Sequence, residues 1–136
     1  MTWTRIFRDR KGSAAIEFAI AVPVLVSFIV GIIQTSVYLQ ANAGVQHALG
    51  EGARVATIYD PTTGSRPPDE VISETIVNSK FGIRGGDWHE PVIDSTNEAS
   101  DGYIDITVQY DVPTDFFFFP GPAITLQRTK RVFTQA

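Results

Sequence analysis

From Phe18 to Ile33 the chain carries no charged residue, and the apolar run extends on to Leu39. As a helix, Phe18 to Leu39 would be roughly 33 Å long at ~1.5 Å per residue. That is enough to cross a hydrocarbon core of ~30 Å. The run is entered through Arg10-Lys11-Gly12-Ser13-Ala14-Ala15-Ile16-Glu17-Phe18. A basic head ends at a glycine, small and apolar residues follow, and one glutamate stands at the edge of the apolar run. A carboxylate in that place is rare, because leaving water is costly for it. A single one just after a possible cleavage point argues for a role in assembly. The segment therefore points to a processed, membrane-anchored subunit and away from an enzyme.

Charge sharpens this. The chain has 136 residues and a net charge of −4, room for one small domain. Arg5, Arg8, Arg10 and Lys11 stand against Asp9 in the head, so the residues beyond Gly12 are strongly acidic. Basic residues flanking the N-terminal side of an apolar segment place that end in the cytoplasm, and the acidic body then faces outward. An acidic body argues against nucleic acid as a partner. There is no cysteine, hence no disulfide framework. The small exported domain must rely on its own core or on neighbours.

Past the apolar run, Gln34, Thr35 and Ser36 mark an outer interface and Tyr38 an aromatic anchor. Pro23 lies within the helix and removes one backbone bond, which predicts a kink near Ala19 to Pro23. The helix is expected to continue beyond the membrane. There Gly44, Ala48, Gly52 and Ala56 recur every fourth residue as a narrow ridge that lets another backbone approach. Each glycine costs the helix ~1 kcal/mol relative to alanine, so the ridge calls for a packing partner. Two fit: the protein's own sheet, or a neighbouring subunit.

Asp60 to Pro68 reads as a turn-rich break. Pro68-Asp69-Glu70 opens a short helix with acids in its first turn. Ile72, Ile76 and Val77 would face inward, and Gly82 would end that helix. Trp88 to Ile93 predicts a short edge strand broken by Pro91. Ser95 to Gly102 reads as a polar loop. Tyr103 to Tyr110 is a strand, with Ile104, Ile106, Val108 and Tyr110 on one face. Pro113 to Pro122 reads as a loop carrying Phe116 to Phe119, as a buried anchor or an exposed contact patch. Ala123 to Phe133 is a last strand, antiparallel to the previous one. The fold class is α+β: a long N-terminal transmembrane helix extending into an ectodomain with a short helix and a small antiparallel sheet.

Catalytic and ligand-binding motifs are not evident. His47 and His89 lack a well-spaced metal-ligand set, and no cofactor is expected. No nucleophile elbow or triad is present. Gly82-Ile83-Arg84-Gly85-Gly86 lacks the lysine and the strand-to-helix context of a phosphate loop. Ala41-Asn42-Ala43 fits the cleavage site of an ordinary secretory signal. The apolar region before it, however, exceeds the ~7–15 residues such signals use, and Glu17 would have no role.

The run Gly12-Ser13-Ala14-Ala15-Ile16-Glu17-Phe18-Ala19, followed by Pro23, resembles the processing signal of prepilins and pseudopilins. Gly50-Glu51-Gly52-Ala53-Arg54 adds a shorter likeness. The glutamate–aromatic pair is similar to the tight-adherence (Flp) branch, and the wording to the TadE-like family of minor pseudopilins. The resemblance implies cleavage between Gly12 and Ser13 by a prepilin peptidase, which makes Glu17 the fifth residue and Phe18 the sixth. It implies residence in the bacterial inner membrane, with partners among other pilin or pseudopilin subunits and the pilus assembly machinery. In pilins the equivalent glutamate pairs with the N-terminus of an adjacent subunit. The other reading of Glu17 is a carboxylate that reaches up to the headgroups.

The expected organisation is a cleaved cytoplasmic leader (1–12), a transmembrane helix (13–39), a helix extension (40–59) and an extracytoplasmic α+β domain (60–136). The expected function is that of a non-enzymatic minor pseudopilin in a tight-adherence pilus or related secretion system. The alternatives are an uncleaved single-pass anchor with a binding or sensing domain, and a domain released after Ala43.

Overall fold

A computed structural model describes residues 10–62, 64–83, 85–116 and 119–134, without the side chains of Arg10, Lys11 and Phe119. Arg5, Arg8 and Asp9 of the basic head, Arg84, and Phe117 and Phe118 lie outside the described residues. The chain divides into two compact units, Met1–Thr35 and Ser36–Ala136.

One long helix, α1 (Arg10–Ala56), dominates the N-terminal half. Helical backbone continues past Pro23. Proline removes the N–H that Ala19 would have accepted. Ser27 Oγ donates to the Pro23 carbonyl at 2.8 Å and Thr35 Oγ1 to that of Gly31 at 2.8 Å, so both hydroxyls are satisfied within the helix. In the first unit the large side chains are exposed, among them Phe18 (71%), Phe28 (68%) and Ile32 (67%). The helix is long and apolar enough to cross a membrane.

The second unit is an α+β fold. From Ala41 onward, α1 buries Ala41, Val45, Ala48, Leu49, Ala53 and Ala56, the spacing of one helical face. The short helix α2 (Asp69–Asn78) starts after Pro68 with Asp69 and Glu70 in its first turn, where acids complement the helix dipole. Ile72 and Ile76 are fully buried, but Val77 is exposed at 37%. At about 100° per residue, Val77 is roughly 140° around the helix from Ile72, off the face shared by Ile72 and Ile76. Nor does Gly82 end α2. Ser79 caps it, its N–H bonding the Thr75 carbonyl at 2.9 Å. Gly82 adopts φ 67° further on, in the connecting segment, where the backbone turns in a way that suits glycine.

The sheet is built on β3 (Tyr103–Val112), whose residues alternate between half-buried and buried along their whole length. On one side β3 pairs with β1 (Asp87–Trp88) and β2 (Val92–Asp94). The predicted edge strand is thus present as two pieces on either side of Pro91, bridged by the His89 N–H to the Gln109 carbonyl at 3.0 Å. On the other side β3 pairs antiparallel with β6 (Ile124–Phe133) from Tyr103↔Phe133 to Val112↔Ile124.

Two segments read as loops carry structure. Ser95 to Gly102 contains a single-turn helix, α3 (Glu98–Asp101), closed by Gly102 at φ 66°. Arg66 pins Glu98 at its start, a contact between residues distant in sequence. Pro113 to Pro122 contains the hairpin β4 (Asp115–Phe116) and β5 (Phe119–Pro120). Its base is tied by the Gly121 N–H to the Thr114 carbonyl at 2.7 Å and by Thr114 Oγ1 to the Pro122 carbonyl at 2.6 Å. Phe116 is 43% exposed. The core joins Val45, Leu49, Ile72, Ile76, Ile104, Ile106, Val108, Tyr110 and Leu126 from α1, α2 and the sheet.

Candidate processing and assembly segment

Gly12, Ser13, Glu17 and Phe18 occupy the first turns of α1, and all four are exposed. The described part of α1 opens at Arg10, so the Gly12–Ser13 bond lies in helical backbone close to where the described residues begin. A Cβ placed on Gly12 would meet nothing within 4 Å. Among the described residues there is thus room for a larger side chain at that position.

Ser13 and Glu17 are four residues apart and share a helix face. Glu17 has no hydrogen-bond or ion-pair partner among the described residues. Phe18 projects beside it, exposed at 71%. The segment thus presents an exposed carboxylate and an exposed aromatic ring at the start of an apolar stretch, with no partner for Glu17 among the described residues.

Ridge residues Gly44, Ala48, Gly52 and Ala56 lie in the second unit, where the chain fills the ridge itself. Ala48 and Ala56 are fully buried. A Cβ on Gly52 would run into Ile76 of α2, and one on Gly44 into the Phe81 carbonyl and Ile83. The atoms that meet the two glycines belong to α2 and the segment after it, not to the sheet.

His47 and His89 are far apart in role. His47 Nδ1 sits 3.3 Å from the Ser79 carbonyl. His89 Nε2 is 2.9 Å from Asp111 Oδ2, and that contact holds the Asp111 carboxyl below the usual carboxylate range, with Thr125 assisting. Among the described residues no three His, Cys, Asp or Glu side chains are placed to hold a metal ion.

Sequence reasoning missed one cluster. Arg66, in the turn-rich break, is 12% exposed and bonds Glu98 at 2.6 and 2.9 Å, Asp69 at 2.7 Å and Ser95 at 2.9 Å. The hydrogen bond to Glu98 raises its pKa most, burial opposes the rise, and Asp69 adds to it. A lone arginine among prolines is the only signal, and its partners come from two segments, the start of α2 and the Ser95–Gly102 stretch. The cluster fastens the break to α2 and α3.

With this geometry in view, residues 12–54 match the family model of TadE-like protein. The match begins at the glycine of the candidate cleavage point and lies wholly within α1. No curated protein and no solved structure matches the chain.

Proposed function

We propose that this chain is a minor pseudopilin-type subunit that acts in assembly of a tight-adherence pilus or related secretion system. The carrying observation is one coincidence. The match to the TadE-like family starts at Gly12, where an exposed glutamate and an exposed phenylalanine lead into an apolar helix. A prepilin peptidase cuts between Gly12 and Ser13 on the cytoplasmic side of the bacterial inner membrane. The basic head stays inside, as excess Lys and Arg favour, and the Ser36–Ala136 unit faces outward. The role is assembly rather than catalysis.

Cleavage leaves a new ammonium on Ser13. An unpaired carboxylate costs up to ~2.5–3.5 kcal/mol at the bilayer centre and less near its edge. A cation that exists only on processed subunits offsets that cost when subunits dock in register. Glu17 thereby couples processing to assembly.

Intact mass of the membrane-extracted protein tests this, with a mature chain starting at Ser13 as the expected result. Gly12→Leu should retain the leader. A wild-type chain that keeps Met1 in cells containing the peptidase rejects the reading, and a start at Gly44 would make the segment an ordinary secretory signal. Glu17→Ala should insert and be cleaved as before but lose subunit cross-linking in membranes. Glu17→Gln separates charge from shape.

A further inference from the structure

The sheet has two unlike edges. On one, β1 and β2 are two and three residues long, with Pro91 between them. Short strands and proline blunt an edge against further pairing. On the other, β6 runs for ten residues, pairs only with β3, and contains neither proline nor glycine. Its outer row of backbone donors and acceptors has no strand beside it among the described residues.

Charge is divided the same way. β6 carries Arg128, Lys130 and Arg131. Lys130 and Arg131, with Arg54 of α1, line an open groove beside β6. Across the sheet, a groove beside β2 is lined by Asp69, Glu70 and Glu74 of α2 and by Glu90, with Trp88 and Ile93. Among the described residues Arg66 pairs with Asp69 at 2.7 Å on that side, and Lys80 Nζ lies 4.9 Å from the centre of the Trp88 ring. Lys130, Arg128, Glu70, Glu74 and Glu90 make no ion pair among the described residues.

We infer that these edges are two halves of a head-to-tail contact between copies of this chain: the basic β6 edge of one copy docks against the acidic α2–β2 edge of the next. The cations of β6 then face Glu70, Glu74 and Glu90. Two-fold pairing of β6 with β6 is disfavoured where it brings the Arg128, Lys130 and Arg131 cluster of one copy against that of the other. A contact between two different patches does not close on itself as a two-fold dimer does, and it can extend along a row of copies. The inference goes beyond the processing reading and needs only that copies share a membrane.

The chain has no cysteine, so single introduced thiols report contacts cleanly. Full-length Ser73→Cys and Gln127→Cys proteins, co-expressed in membranes and treated with a short bis-maleimide, should give a mixed dimer, with far less product from either alone. Lys130→Glu on the Gln127→Cys copy should lower the mixed product about fivefold, near the upper range for exposed ion pairs. Glu74→Lys on the Ser73→Cys copy should restore it. An unchanged thermal midpoint confirms that the variants are folded. Equal product from Gln127→Cys alone would mean two-fold β6 pairing and overturn the inference. A mixed product no greater than that from Ser73→Cys paired with an Asn97→Cys control would overturn it as well. Intact mass on the same samples reads processing separately, so failure of the contact with a normal Ser13 start leaves the functional reading standing.

Discussion

The two stretches of α1, before and after about residue 40, share a helical backbone and differ in almost everything else. In the first, large apolar side chains point outward all round and stay exposed. In the second, small residues recur on one face and are buried. Helix formation does not distinguish them; the distribution of size and polarity around the axis does. A helix apolar on every side needs an apolar solvent. A helix with one narrow, small-residue face needs a close partner, and this chain supplies it in Ile76 and the Phe81 carbonyl. The TadE-like match crosses from one stretch into the other, so the matched residues include both the apolar stretch and the ridge positions Gly44, Ala48 and Gly52.

The largest expected effect tests whether stability resides in the second unit. Ile76→Ala should cost ~2–5 kcal/mol, as deletion of a buried side chain does. Ile29→Ala, 49% exposed, should change unfolding of the Ser36–Ala136 unit by less than ~0.5 kcal/mol. Urea melts of the full chain in detergent, followed by Trp88 fluorescence, measure both; equal losses would break the comparison. A paired glycine test sharpens it. Gly44→Ala drives a Cβ into the Phe81 backbone and should cost ~1–3 kcal/mol. Gly31→Ala has open space and should leave the melt unchanged, while the helix gains up to ~1 kcal/mol.

Within the second unit, Arg66→Ala should cost about 1–2 kcal/mol, since Glu98 and Asp69 lose a hydrogen-bonded cation but are themselves partly exposed. Arg54→Ala, which breaks only a surface pair with Glu51, should fall below ~0.5 kcal/mol in the same melt.

The smallest effect is a pH dependence. Arg131 holds the Asp105 carboxyl below its ordinary value, Thr96 does so for Asp94, and His89 for Asp111. A carboxylate whose folded pKa is lowered contributes stability above its unfolded pKa of ~3.9 and loses it as pH falls through the folded value. The thermal midpoint should therefore drop on acidification below about pH 4. Asp105→Asn should flatten that decline, and an unchanged slope would show that the Asp105–Arg131 pair contributes nothing.

Sequence alone determined whatever depends on local pattern. The apolar run fixed a membrane-length helix, and the alternation Ile104, Ile106, Val108, Tyr110 fixed β3 and its buried face, because period 2 admits one assignment. The resemblance carried by Gly12 to Phe18 is legible because its residues are adjacent in the chain, and the family match begins at the same glycine. Tertiary structure decided whatever joins distant residues. Periodicity says which face of a helix is buried but not what covers it: α2 meets Gly52 and the segment after α2 meets Gly44, rather than the sheet. Arg66 was illegible because Asp69, Ser95 and Glu98 reach it only after folding. The opposed charges of the two sheet edges were illegible for the same reason. Strand order, not chain order, separates Lys130 from Glu74, and strand order is set by packing the whole core at once.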